Sequence, residues 1–224
     1  MKNKNRPITF LDDRLIFPPV EMANPEGLLA VGGDLTPERL ILAYRNGIFP
    51  WFNEDSLILW WSPDPRMVLF PSKVRISKSM RNYLNRGQFR VSRDTAFEKV
   101  IQECADAPRH GQRGTWITHK MIEAYKKLFE KGIAHSYEVW QDNELVGGLY
   151  GLDLGHVFCG ESMFSKVNNA SKYALIHMCR ELEEKNYSLI DCQLHTPHLE
   201  SLGAELISRQ EYLNILKRKD QGRV

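Results

Sequence analysis

The chain has 224 residues, 42% of them hydrophobic and 26% charged, which suits a folded globular protein and excludes a disordered one. Thirty basic against 28 acidic residues leave a formal charge of +2, which argues against a wholly basic nucleic-acid binder but leaves room for a local basic patch. The four cysteines, Cys104, Cys159, Cys179 and Cys192, form no CxxC pair and no zinc spacing, so reduced thiols and no metal are expected.

Met1–Pro7 has no apolar run behind its charges, and no segment approaches a membrane span. A cytoplasmic location and no membrane partner are expected. Leu28–Val31 is a short apolar strand closed by Gly32-Gly33. Thr36 before Pro37 reads as an N-cap with proline at the first helical position, for a helix that stops at Gly47. Ile48–Phe52 and Leu57–Trp61 are extended aromatic segments. Pro63 and Pro65 mark a domain boundary, giving a small α/β unit over 1–64 and a larger one over 65–224.

Met67–Phe70 and Phe89–Val91 read as strands, with a helix between Lys73 and Arg86. Ala96–Ala105 and Thr118–Lys131 have helical apolar spacing. A β-meander follows: Ser136–Trp140, Glu144–Leu152 and Val157–Met163. Asn168 or Asn169 caps a helix through Leu182, and Ser188–Gln193 is a short strand. This α+β order of meander, helix and strand matches the core of the acetyltransferase-like (acyl-CoA N-acyltransferase-type) fold, with a mixed sheet. Fold alone gives no function.

Four groups of residues could carry chemistry. From Pro65 to Arg93 there are eight basic residues and no acidic one: Arg66, Lys73, Arg75, Lys78, Arg81, Arg86, Arg90 and Arg93. Such segregation suits either a phosphate backbone or a solvated helix face. The tryptophans Trp51, Trp60, Trp61 and Trp116 suit either base stacking or a small core. Trp60 and Trp61 favour the core; Trp51, beside Pro50, favours stacking. In Phe158–Ser165, strand alternation puts Cys159, Glu161 and Met163 on one face. A glutamate in such company should have a raised pKa. In Ile190–Gln193, Asp191 and Gln193 lie two apart and so share a face. Asp191 can accept a proton, and Gln193 can donate to an oxyanion. No P-loop, GxSxG or dinucleotide fingerprint is present. The turn Ser165–Ser171 lacks the glycines that a coenzyme A pyrophosphate would need.

Ten runs, in order over nearly the whole chain, resemble the leucyl/phenylalanyl-tRNA–protein transferase family: Asn24–Leu35, Ala43–Phe52, Leu59–Arg66, Gly114–Thr118, His135–Trp140, Leu145–Gly148, Phe158–Ser165, Asn169–Lys172, Leu189–Gln193 and Ser201–Ala204. The resemblance implies transfer of Leu, Phe or, less readily, Met from aminoacyl-tRNA to proteins with N-terminal Lys or Arg, marking them for degradation, without metal or cofactor. It implies Glu161 in placing the substrates. The implied aminoacyl pocket is Leu149, Phe158, Met163, Met178 and Leu182. Trp51 and Trp116 match positions for the terminal adenosine, supported by Tyr44 and Tyr125. Lys78 and Arg86 match tRNA backbone contacts, to which charge adds Arg81.

An ester is already activated, so the enzyme must align amine and carbonyl, remove a proton and stabilise an oxyanion. Asp191 is the expected group to draw the amine into its neutral form, with Gln193 positioning it. Alternatively the ribose hydroxyl relays the proton and Asp191 only orients. A coenzyme A-dependent N-acyltransferase and a non-catalytic tRNA-binding module are the competing readings. A monomer is expected, since no interaction helix stands out.

Overall fold

The strands form two sheets in the computed structural model, which describes residues 8–108 and 116–218. Met1–Pro7, and Gly114 and Thr115 of the Gly114–Thr118 run, lie outside the described residues. The smaller sheet has the order β1 (Thr9–Leu11), β2 (Leu28–Gly32), β4 (Leu59–Trp61), β3 (Phe49–Pro50). The larger, seven-stranded sheet runs β11 (Glu205–Ile207), β5 (Arg66–Leu69), β10 (Leu189–Gln193), β9 (Val157–Ser165), β8 (Glu144–Asp153), β7 (Ala134–Gln141), β6 (Arg90–Arg93). Within it β9 and β10 pair in parallel, and the other neighbours are antiparallel. The expected α+β class and the meander–helix–strand order are both present.

Local chemistry sets the helix ends. Thr36 accepts from the Arg39 amide and Pro37 opens α1 (Pro37–Arg45). Gly47 follows at φ 73°, a left-handed conformation that favours glycine, with Leu213 and Tyr212 of the last helix packed close against it. Ser77 caps α2 (Lys78–Arg86), and Thr118 caps α4 (His119–Glu130). α3 is Phe97–Asp106, α5 Ala170–Glu184, α6 Pro197–Ser201 and α7 Arg209–Lys217. Asn169 stands at the N-cap of α5, as expected, but with φ 69° and no side-chain cap bond. Ser165 Oγ instead accepts from the Ser171 amide at 3.1 Å.

Alternate residues of the large sheet feed two apolar clusters. Tyr150, Leu152, Cys159 and Phe164 pack with Phe97 of α3 and Tyr125 of α4, in a cluster continuous with Leu29 and Trp60 of the small sheet. Tyr137, Leu149, Phe158 and Ile190 pack with Leu175 and Met178 of α5. The start of α7 is tied to the segment between the sheets, Arg209 Nη1 donating to Ser62 O at 2.6 Å and its amide to Asp64 Oδ1 at 3.1 Å. β1 and β11, three residues each, carry too little pattern to be read from sequence.

Candidate active site

The site begins where two strands part. β9 and β10 pair only through Val157–Leu189, Phe158–Ile190 and Cys159–Asp191. Beyond that point both strands bulge. On β9, Gly160 faces Gly151 and Ser162 faces Tyr150, so Glu161 is the extra residue. A Cβ on Gly151 would lie 2.2 Å from Cys159 O, so this bulge requires glycine on the neighbouring strand. On β10, Asp191 faces Val68 and Gln193 faces Met67, with Gln193 in the left-handed region at φ 58°.

The bulges overturn the expected alternation. Cys159 and Met163 do not share a face: Cys159 packs with Tyr150 and Leu152, Met163 with Leu149 and Phe158. Asp191 and Gln193 also diverge, one into the interior and the other into a cavity.

Two adjoining hollows fill the wedge between the strands. One, of about 350 Å³, is lined by Phe49, Pro50, Trp51, Trp116, Glu161 and Gln193, among others. The other, of about 800 Å³, takes Leu149, Met163, Leu175, Met178 and Ile190 on its apolar side. Glu161, Gln193, Cys192 and Trp116 line both. Three of the five expected aminoacyl-pocket residues, Leu149, Met163 and Met178, face the larger hollow. Phe158 and Leu182 do not: they are 0% and 1% exposed in the core behind it. Leu175 was missed, although it lies one helical turn before Met178.

Asp191 is not among the lining residues. Its Oδ1 accepts from Arg66 Nε at 2.8 Å and from the Gln193 amide at 3.0 Å. Its Oδ2 accepts from Arg66 Nη2 at 2.7 Å and Tyr212 OH at 2.8 Å. Both side chains of the ion pair are buried. Burial works against the charge on Arg66, but the adjacent Asp191 outweighs it and holds the guanidinium above its ordinary pKa. An aspartate with both oxygens doubly occupied has no oxygen turned to an amine. Arg66 and Tyr212 were missed as its partners, since neither is near it in sequence.

Glu161 sits half-buried at the junction of the hollows. Tyr44 OH donates to Oε1 at 2.7 Å, Tyr125 OH to Oε2 at 2.9 Å, and Gln193 Nε2 lies 3.5 Å from Oε1. Burial pushes its carboxyl up to about 7, against the pull of the two tyrosine donors. Tyr44 and Tyr125, expected to support the adenosine site, are 1% and 0% exposed, with their hydroxyls on Glu161. Trp51 and Trp116 stand half-buried at the mouth, Trp51 held edge-on by Trp61 at 5.7 Å. Trp60 is fully buried in the core, as expected.

Lys78, Arg81 and Arg86 are all exposed on α2 and have no ion-pair partner among the described residues. The expected patch is smaller than its sequence suggested. Arg66 is the buried partner of Asp191, Lys73 pairs with Glu205, and Arg93 pairs with Glu181. Among the described residues no cluster of His, Cys, Asp and Glu could hold a metal, and no helix is long and apolar enough to cross a membrane.

Comparison with known proteins decides the family. The family model described as leucyl/phenylalanyl-tRNA protein transferase matches residues 68–217, and the model of that family's N-terminal domain matches 33–64. The chain belongs to the leucyl/phenylalanyl-tRNA–protein transferase family. The family member from Flavobacterium johnsoniae is 60% identical over 94% of this chain and 99% of its own length. The one from Nitrosospira multiformis is 55% identical over 94% and 91%. Among solved structures, a GCN5-related N-acetyltransferase from Kribbella flavida is 10% identical, with a TM-score of 0.38 over 75% of this chain and 60% of that one. The family's two models meet at Asp64–Val68, where the chain passes from the small sheet to the large one.

Proposed function

We propose that this aminoacyltransferase moves Leu, Phe or Met from aminoacyl-tRNA to the α-amine of proteins that begin with Lys or Arg, in the cytosol, marking them for degradation. The observation that carries the reading is the pair of joined hollows. One has aromatic walls, the other apolar walls, and Glu161 and Gln193 lie where they meet. Trp51 and Trp116 suit the terminal adenosine, because every base offers a π-face to an aromatic side chain. Leu149, Leu175, Met163 and Met178 suit an unbranched-Cβ apolar side chain, since methionines adapt to shape. Lys78, Arg81 and Arg86 offer free cations for the tRNA backbone. A single chain supplies every one of these residues.

Asp191 takes a different part from the expected one. It neutralises Arg66 and holds the Gln193 amide, so it is a positioning residue for Gln193 in its left-handed conformation. Gln193 and Glu161 are the groups that meet the amine and the ester. A coenzyme A donor is disfavoured because the first amides of α5 are engaged within the chain, Ala170 with Val167 O and Ser171 with Ser165 Oγ. Incubating the protein with labelled leucyl-tRNA and a Lys- or Arg-initiated peptide should label the peptide; labelling from leucyl-coenzyme A instead would overturn the reading.

A further inference from the structure

Glu161, Tyr44 and Tyr125 make three contacts with one another. Tyr44 OH meets Oε1 at 2.7 Å, Tyr125 OH meets Oε2 at 2.9 Å, and the two phenol oxygens are themselves in hydrogen-bonding contact. Each contact needs a proton between its oxygens. With Glu161 ionised there are only the two phenol protons. If both go to the carboxylate, the tyrosine oxygens face each other lone pair to lone pair. If one goes between the tyrosines, a carboxylate oxygen loses its tyrosine donor, and only Oε1 has another, Gln193 Nε2 at 3.5 Å. A third proton, on Glu161, closes the ring with every contact satisfied. The tyrosines are buried, so no bulk water reaches the contact between their oxygens, while Glu161 faces the hollows.

We infer that Glu161, Tyr44 and Tyr125 form a proton-completed ring, and that this ring is the base that takes the proton from the attacking amine. Glu161 touches the cavity; Tyr44 and Tyr125 are positioning residues acting through it. The inference rests on the transfer reaction proposed above. In that reaction the amine nitrogen bonds to the ester carbonyl carbon as the bond to the ribose oxygen breaks. The proton leaving nitrogen passes to ionised Glu161, and Glu161 returns it to the ribose oxygen. Ester and amine become amide and ribose hydroxyl, and the ring ends in the state in which it began. An ionised carboxylate whose ring is open is a stronger base than a solvated one.

The surroundings fit this use. Asp191 on β10 raises the carboxyl and Arg66 on β5 lowers it, and these two neutralise each other. Cys159 on β9 is kept a neutral thiol by burial, and Tyr150 on β8 stands edge-on to Tyr125 at 5.6 Å. Cys192 on β10 and His198 on α6 face the same hollow. Burial holds the Cys192 thiol up, and partial desolvation with Lys172 nearby holds the His198 imidazole down. Burial likewise brings Glu161 to about 7, where it can both take and return a proton.

The sign of one shift tests the ring. A lone tyrosine donor stabilises a carboxylate, so its loss raises the carboxyl pKa. In the ring the bare oxygen contact outweighs the pull of one donor, so loss of a member lowers it. The pH dependence of kcat/KM for peptide labelling should therefore move its acid limb down in Tyr44→Phe and Tyr125→Phe, by about one pH unit, the scale of a single hydrogen bond. The acceptor amine titrates in the same limb but equally in all variants. Infrared difference spectra of the unliganded wild-type protein, titrated through neutrality, should show a protonated carboxyl band that Glu161→Gln removes. An acid limb that rises or stays fixed, or no such band at neutral pH, would overturn the ring. Failure of the wild type to label any peptide would sink the transfer reaction instead, and the infrared titration would still judge the ring.

Discussion

Asp191 and Arg66 meet at two points in the interior, Nε on Oδ1 at 2.8 Å and Nη2 on Oδ2 at 2.7 Å. Neither is more than 1% exposed. A fork-on-carboxylate pair of this kind adds little net stability over apolar residues of equal size, but removing one partner strands the other charge. Asp191→Ala should thus cost about 3–5 kcal/mol in urea unfolding. Arg66→Met combined with Asp191→Leu should recover much of that loss while leaving peptide labelling weak, because Gln193 has lost its brace. Full stability in Asp191→Ala would contradict the assignment.

Glu161 makes stability depend on pH. Its carboxyl rises from 4.5 to about 7 on folding, so between those values the native state holds a proton the unfolded chain has released. Stability should fall as pH rises through that window, then level off. Glu161→Gln should remove the slope, as compared by urea unfolding at several pH values. A wild-type stability that rises over the window relative to Glu161→Gln would show that Glu161 is held as a carboxylate, since His177 and His198, held below their ordinary pKa, act alike in both proteins.

Cavity shape should set the choice of aminoacyl group. Met178→Trp fills the hollow that Leu149, Met163 and Leu175 share with it. Competition between leucyl- and phenylalanyl-tRNA should then shift toward Leu by about 10–100-fold, the range of small changes in an apolar pocket. Leu149→Ala should shift it toward Phe. An unchanged ratio in both would place the side chain elsewhere.

Neutralising Lys78, Arg81 and Arg86 together should weaken tRNA binding and flatten its salt dependence by about two to three in the log–log slope. The chemical step under saturating tRNA should be unaffected. A slope equal to wild type would remove α2 from the tRNA interface.

How far the sequence discloses this arrangement depends on the range of the signal. Thr36-Pro37, Thr118 and the meander turns act within a few residues, and their helices and strands fall where local chemistry puts them. Leu149, Met163 and Met178 are named by the family resemblance, and all three line the larger hollow. The faces of β9 and β10 are not legible in the same way, because strict alternation cannot anticipate bulges at Glu161 and Cys192. One extra residue turns the strand over, and the glycine that accommodates it, Gly151 against Cys159 O, lies on another strand. Asp191 read as an open catalytic carboxylate because its partners, Arg66 and Tyr212, lie 125 and 21 residues away. The same distance hid the clamp of Tyr44 and Tyr125 on Glu161, which two helices bring together.

A crystal structure with a hydrolysis-resistant leucyl-adenosine tests the joined hollows most directly. The adenine should lie against Trp51 and Trp116, the leucyl side chain among Leu149, Met163 and Met178, and the carbonyl carbon beside Glu161 and Gln193. A leucyl group seated instead in the separate hollow of Ile16, Leu42 and Leu213, between α1 and α7, would contradict the account.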